Sequence, residues 1–270
     1  MNMKKRLTAI LAAVLLAGVA APAQQASIST KKHRLGDFTT TVMEVVLTGD
    51  EIRDAAIQEE VIAWWRISPF EFCTVADYEA LRKSDNYYFM RPAEAEGIVF
   101  LTLEKGGDKL DEVVSIPMAP AGAGAGRELV FLGAMVNSVQ QYVRLAMESE
   151  KAAYQGLSAL GWNGETTKVY IDEEDLSPSV TTKERQRMRS DNLLLVPSGD
   201  GDMAFQDGEE GAAASFTVAP FDTDGNGAQS YEMLFSASSR QLVFFHRHTI
   251  TPRAGAGFLP SDLRSISGRL

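Results

Sequence analysis

Hydrophobic and polar residues change period several times along the chain, and each change marks an element. TTVMEVVLTG (residues 40–49) is rich in Thr and Val and predicts a strand. DEIRDAAIQEEVIAWW follows, with Ile52, Ala55, Ala56, Glu59, Val61 and Ala63 near helical spacing and Asp50 placed as an N-cap. RISPFEFCT is extended, because Ser68-Pro69 disfavours a helix. VADYEALRKSD predicts a short amphipathic helix with Tyr78 and Leu81 on one face; NYYFM, GIVFLTLEKGG and EVVSIPM predict strands. The Gly/Ala run at 121–126 has no side chains to bury and predicts a connector. Beyond it lies the longest helical pattern, from about Leu129 to about Leu157, with Leu132, Met135, Val136, Val139, Val143, Ala146 and Met147 as one apolar stripe.

The second half repeats this order. TKVYI and DNLLLVP predict strands around the helix-like VTTKERQRMRS, and AASFTVAPF predicts another strand. SYEMLFSAS and RQLVFFHRHTIT predict an antiparallel hairpin joined near Ser238-Ser239, followed by a short tail whose last turn Ser261 can cap. EALRKSDNYYFMRP and ERQRMRSDNLLLVP both run from a charged helix end through Ser-Asp-Asn into apolar residues and a proline. Two explanations stand: duplication of a strand–helix–strand unit, or turn chemistry that selects Asp and Asn at any helix-to-strand junction. The expected fold class is α/β, shading to α+β toward the C-terminus, with two related strand–helix–strand units joined by a long helix and ending in a hairpin.

The first residues change the picture of where the chain works. Lys4-Lys5-Arg6, the apolar run from Leu7 to Ala21 and Ala21-Pro22-Ala23 have the layout of a secretory signal peptide. The expected organisation is a signal peptide at 1–23, a polar leader at 24–38, a first α/β unit at 39–121, and the long helix with a second α/β unit and hairpin at 122–270. The expected destination is the periplasm or the outside. Gln24 follows the expected cleavage point, so a lipoprotein is not expected, nor is a transmembrane span in the mature chain. Cleavage removes three positive charges and moves the formal charge from −10 to −13, which argues against a nucleic-acid partner. Cys73 is the only cysteine, so a hydrophobic core rather than a disulfide must hold the fold.

WRISPFEFCTVADYEALRKSDNYYF, GIVFLTLEKGG and GRELVFL resemble a group of secreted proteins of bacterial anaerobes. The resemblance runs on through IDEEDLSPSV and the terminal hairpin, and it brings no catalytic residue with it. The order of elements in the first half is also similar to that of the amino-terminal α/β domain of the periplasmic Tol-Pal protein TolB, a likeness of topology alone.

Five stretches are candidates for chemistry. FDTDGNGAQSYEM sets Asp222, Asp224 and Asn226 at alternate positions before Gly227, as a calcium loop does. The twelfth position is Met233, however; Glu232 comes one residue early, and the flanks are strands. An acidic turn into the hairpin is the favoured reading, with weak calcium binding at Asp222, Asp224 and Asn226 as the alternative. GDGDMAFQDGEEG (199–211) offers Asp200, Asp202, Asp207, Glu209 and Glu210 as a carboxylate cluster or, more commonly, a solvated mobile loop. GAGAG before the long helix lacks a phosphate-binding fingerprint, because Arg127 stands where the third glycine belongs. His246 and His248 share a strand face and could serve a metal given a third ligand; exposed strand histidines are the commoner outcome. Cys73, in the apolar FEFCTV, is expected to be a buried small hydrophobe.

The function expected from these observations is an exported, non-enzymatic binding protein whose partner is an envelope protein or ligand, with no cofactor. The alternative is a calcium- or metal-dependent exported protein, with a hydrolase among the options.

Overall fold

The computed structural model describes residues 35–223 and 227–270. The expected signal peptide and nearly all of the polar leader lie outside the described residues, as do Asp224 and Asn226. Two five-stranded mixed sheets make up the fold. The first runs β1 (Met43–Leu47), α1 (Glu51–Trp64), β2 (Phe70–Thr74), α2 (Val75–Leu81), β3 (Tyr88–Ala95), β4 (Ile98–Lys105) and β5 (Asp111–Pro120). Its strand order is β2-β1-β3-β4-β5, with β1 parallel to β2 and β3 and the remaining pairs antiparallel.

After α3 (Glu128–Glu148) and α4 (Glu150–Gln155) the second half runs β6 (Lys168–Asp172), α5 (Thr182–Met188), β7 (Leu193–Val196), α6 (Asp200–Gln206), β8 (Ala212–Val218), β9 (Gln229–Ser236) and β10 (Leu242–Thr249). The closing helix is α7 (Pro260–Ser267). The order of this sheet, β10-β9-β8-β6-β7, is the first order over again: β6 is parallel to both neighbours and the last three strands form an antiparallel meander. The α/β architecture with two related units and a terminal hairpin is therefore what the periodicity predicts.

The two Ser-Asp-Asn tripeptides do not mark equivalent places in this repeat. Ser84-Asp85-Asn86 leads from α2 into the central strand β3, whereas Ser190-Asp191-Asn192 leads from α5 into the edge strand β7. Turn chemistry explains the tripeptides, and the strand order carries the repeat.

Local signals account for most boundaries. Asp50 caps α1 by accepting hydrogen bonds from the amides of Ile52 and Arg53. Thr74 with Asp77 and Thr181 with Glu184 form capping boxes at α2 and α5. The long helix departs from expectation in two ways. It breaks at Ser149, which is extended and caps α4 through Ala152 N–H, so the pattern to Leu157 spans α3, α4 and a 3-10 turn at Gly156–Ala159. And over residues 131–140 α3 is buried on all sides rather than along one stripe, Gly133, Ala134, Asn137, Ser138 and Gln140 included. It lies within one core that takes Met43, Val45, Leu101 and Ile116 from the first sheet and Ala214, Phe216, Met233 and Phe235 from the second. The opposite face of the first sheet packs Val46, Cys73 and Phe89 on Tyr78 of α2. The opposite face of the second packs Ile171, Leu195 and Leu234 on α5, α7 and Phe258. Two smaller expectations fail here: residues 200–206 are the helix α6 rather than a mobile loop, and Ser261 lies inside α7, which begins at Pro260.

Candidate functional site

Three arrangements bring polar chemistry together. The first centres on Arg127, directly before α3. Its Nε donates to Asp202 (2.8 Å), its Nη1 to Asp175 (2.8 Å), and its Nη2 to Asp172 (3.2 Å), Asp175 (3.0 Å), Asp202 (2.8 Å) and the Ser215 carbonyl (2.9 Å). Asp172 and Asp175 are fully buried at the end of β6 and in the turn after it. Asp172 also accepts the amides of Gly199 and Gly201 at the start of α6, and Asp175 accepts the Ser215 hydroxyl and the Thr217 amide. Burial alone would lower the Arg127 pKa, but Asp202 and Asp175 hold it well above the ordinary arginine value. Burial pushes the Asp172 carboxyl up, against the two amides and the guanidinium. The next residue, Glu128, accepts Arg53 Nε and Nη2 of α1, each at 3.2 Å. Adjacent residues at the start of α3 thus bind the two halves. This arrangement is structural: every polar group in it is occupied by a neighbour.

The second is a cleft of about 790 Å³. It opens where β3, β4 and β5 meet the α4 segment and the β9–β10 hairpin. Phe100 and Tyr231, from different sheets, meet edge to face there with ring centroids 5.7 Å apart, and Phe245 lies beyond Tyr231. Charged groups surround the aromatic floor. Glu104 accepts Arg91 Nε (2.8 Å) and the Tyr78 hydroxyl (2.7 Å), and Glu94, Glu112 and Arg247 complete the rim. Burial, then the bond to Glu104, pushes the Tyr78 hydroxyl up to about 12, so Tyr78 stays a donor at physiological pH.

The third lies on the outer face of the second sheet. Glu232 of β9 is directly opposite His246 of β10, and His248 sits two residues on along the same strand. The Glu232 side chain is 0% exposed, His248 10% and His246 36%. His248 Nδ1 is 3.2 Å from Glu232 Oε2, and His248 Nε2 donates to the Gly255 carbonyl at 3.0 Å. His246 Nδ1 is 3.5 Å from the same Glu232 oxygen and 3.1 Å from Asp262 Oδ1 of α7. The Asp262 contact is close enough for an ion pair but not aligned for a hydrogen bond, leaving this buried nitrogen without one. Ser230 donates to Glu232 Oε1 at 2.5 Å and accepts the Gly257 amide at 2.9 Å. Burial raises the Glu232 pKa; Asp262 raises that of His246, and Glu232 that of His248.

The residues singled out in the sequence fall unevenly on these sites. Asp222 is described and lies exposed in the connection between β8 and β9, while its proposed partners Asp224 and Asn226 lie outside the described residues. Glu232, the carboxylate one residue early for a calcium loop, turns to the histidines instead. Met233 at the twelfth position is buried in the central core. The histidines are not the exposed pair expected of a strand. From the acidic stretch after Gly199, Asp202 goes to Arg127 and Glu209 to Lys168 and Tyr170. Cys73 is buried as expected, and burial followed by Glu44 pushes its thiol up to about 12. Sequence reasoning missed the Arg127 cluster and the third partner of the histidines. The hairpin itself was legible, but its turn register, with Phe235 opposite Leu242, would set Glu232 across from Phe245; a bulge between Leu242 and Phe244 moves it to His246.

No family model, no curated protein and no solved structure matches this chain. No helix among the described residues is long and apolar enough to cross a membrane.

Proposed function

We propose that this chain is an exported, non-enzymatic binding protein of the cell envelope that holds part of an envelope partner or ligand in the cleft between its two sheets. The observation that carries the reading is the cleft itself, about 790 Å³ in volume with an aromatic floor and a charged rim. That size and that mixture of apolar surface with a few oriented polar groups suit a ligand side chain or short segment. Arg91 and Tyr78 already satisfy Glu104, which makes this carboxylate a fixed recognition group instead of a base. Phe100, Tyr231 and Phe245 supply stacking surface, and Glu94, Glu112 and Arg247 select the charge pattern of what enters.

Ala93 lines the cleft from β3, and Ala93→Trp would fill it without touching the central core. Wild-type and A93W proteins of equal melting midpoint, immobilised and challenged with envelope extract, test the reading. The wild type should retain a partner that A93W loses by at least about tenfold, the loss expected when a central pocket is blocked. Equal capture by both proteins would remove the cleft from the function.

A further inference from the structure

We propose that Glu232, His246 and His248 form a binding site for a divalent transition-metal ion of the zinc type. This inference stands apart from the cleft reading and needs no partner. One ligand atom from each residue lies within 4.8 Å of the others. The two contacts to Glu232 Oε2, 3.2 Å from His248 Nδ1 and 3.5 Å from His246 Nδ1, are close to the ligand–ligand separations around a tetrahedral ion with bonds of about 2.0–2.1 Å. Two imidazoles and one carboxylate suit zinc and its neighbours and do not suit calcium, which takes oxygen ligands.

Three further features support an ion. His248 Nε2 donates to the Gly255 carbonyl, which leaves Nδ1 as the ligating nitrogen and fixes the ring's orientation, as backbone carbonyls do for metal-bound histidines. The Glu232 carboxylate is itself held, through Ser230 and then the Gly257 amide, so its second oxygen is aimed at the histidines. And His246 Nδ1 is a buried nitrogen without an aligned hydrogen bond, facing two carboxylates, where a cation would satisfy all three groups. The His246 side chain is 36% exposed, so the site has a side open to solvent.

The test is zinc titration of untagged, chelator-treated protein by calorimetry, alongside His246→Ala, His248→Ala and Glu232→Gln variants and with calcium as the comparison ion. The expected result is one zinc per chain, a zinc-dependent rise in melting midpoint, visible absorption bands when cobalt replaces zinc, and no response to calcium. Each histidine variant should weaken zinc by about 100-fold or more, above what loss of an outer-shell partner alone produces. If His248→Ala does not fold, His246→Ala decides the matter, because that ring is partly exposed and its removal leaves the core intact. Absence of zinc binding, or zinc binding that survives His246→Ala unchanged, overturns the proposal.

Discussion

Replacing Arg127 by methionine is the sharpest test of what holds the two halves together. Methionine keeps much of the side-chain bulk beside Phe131 and Phe216, whose rings lie 5.7 and 5.6 Å from the guanidinium carbon, so the main loss is charge. Four carboxylates, Asp172, Glu174, Asp175 and Asp202, then face the vacated position, and Asp172 and Asp175 are buried. Breaking a buried ion pair by removing one partner costs about 3–5 kcal/mol. Asp172 keeps two amide donors and Asp175 keeps a hydroxyl and an amide, which places the expected loss at the lower end, about 3 kcal/mol. For a chain of this size that lowers Tm by roughly 6–12 °C. The loss should also depend on pH with a definite sign. Burial already raises the Asp172 carboxyl, and losing the Arg127 charge that opposes this raises it further, so the folded variant binds more protons than the folded wild type. Its deficit against the wild type therefore shrinks as the pH falls from 7 toward about 4.5. Adding Asp175→Asn to Arg127→Met should recover about 1 kcal/mol at pH 7 by removing one uncompensated charge. Urea denaturation of the three proteins at the two pH values measures all of this. A deficit below about 1 kcal/mol at pH 7, or one that does not change with pH, would show that the cluster acts as an ordinary surface ion pair.

Gly257→Ala should destabilise by about 2 kcal/mol or more, because φ is +99° and an added Cβ would meet the Asp175 carbonyl oxygen at 2.5 Å; thermal melting reads it, and a neutral result would refute the close approach. The Cys73 thiol, pushed up to about 12, should react with a disulfide reagent at pH 8 roughly a thousand-fold more slowly in the folded protein than in denaturant. Equal rates would place Cys73 at the surface. Burial and the Glu59 charge raise the pKa of Glu60, so its folded form binds more protons than the unfolded chain in the window above pH 4.5, and stability is lost as the pH rises through that window. Glu60→Gln should abolish this part of the pH dependence and be at least as stable as the wild type at pH 7, with denaturation at pH 5 and 7 as the check.

Elements were legible in the sequence where a local rule dominates. The capping residues Asp50 and Thr181, the alternation in β9 and β10 and the Pro69 boundary all act within a few residues. Context overrode the local signal elsewhere. The acidic run after Gly199 is polar enough for a loop, yet Asp172 accepts two of its amides and Arg127 takes Asp202, so a helix forms. The stripe on α3 understated its burial, because Ala134 and Ser138, small or polar residues off that stripe, sit against the second contact surface of the helix. The Arg127 cluster joins residues 45 to 75 positions apart, and no spacing rule connects one arginine to scattered aspartates. The hairpin that carries Glu232, His246 and His248 was legible, but the cluster was not: the turn sets Phe235 opposite Leu242, and only a bulge between Leu242 and Phe244 shifts the register by one to bring Glu232 opposite His246.

The enclosure of α3 decides how the proposed binding cleft could meet a ligand. Asn137 donates to the carbonyls of Ser239 and Arg240 in the hairpin turn, while Gln140 donates to the Trp64 carbonyl and accepts the Arg66 amide at the end of α1. With Arg127 and Glu128 at its start, the helix is bolted to α1 on one side and to the second sheet on the other over its first four turns. Swinging one sheet away from the other would strip these bonds and open the shared core to water. The cleft therefore cannot close over its occupant like a hinged jaw. On the proposed binding reading it would meet a ligand as a mould of fixed shape, so discrimination would fall on the fit of the incoming group, with little affinity spent on reorganising the protein.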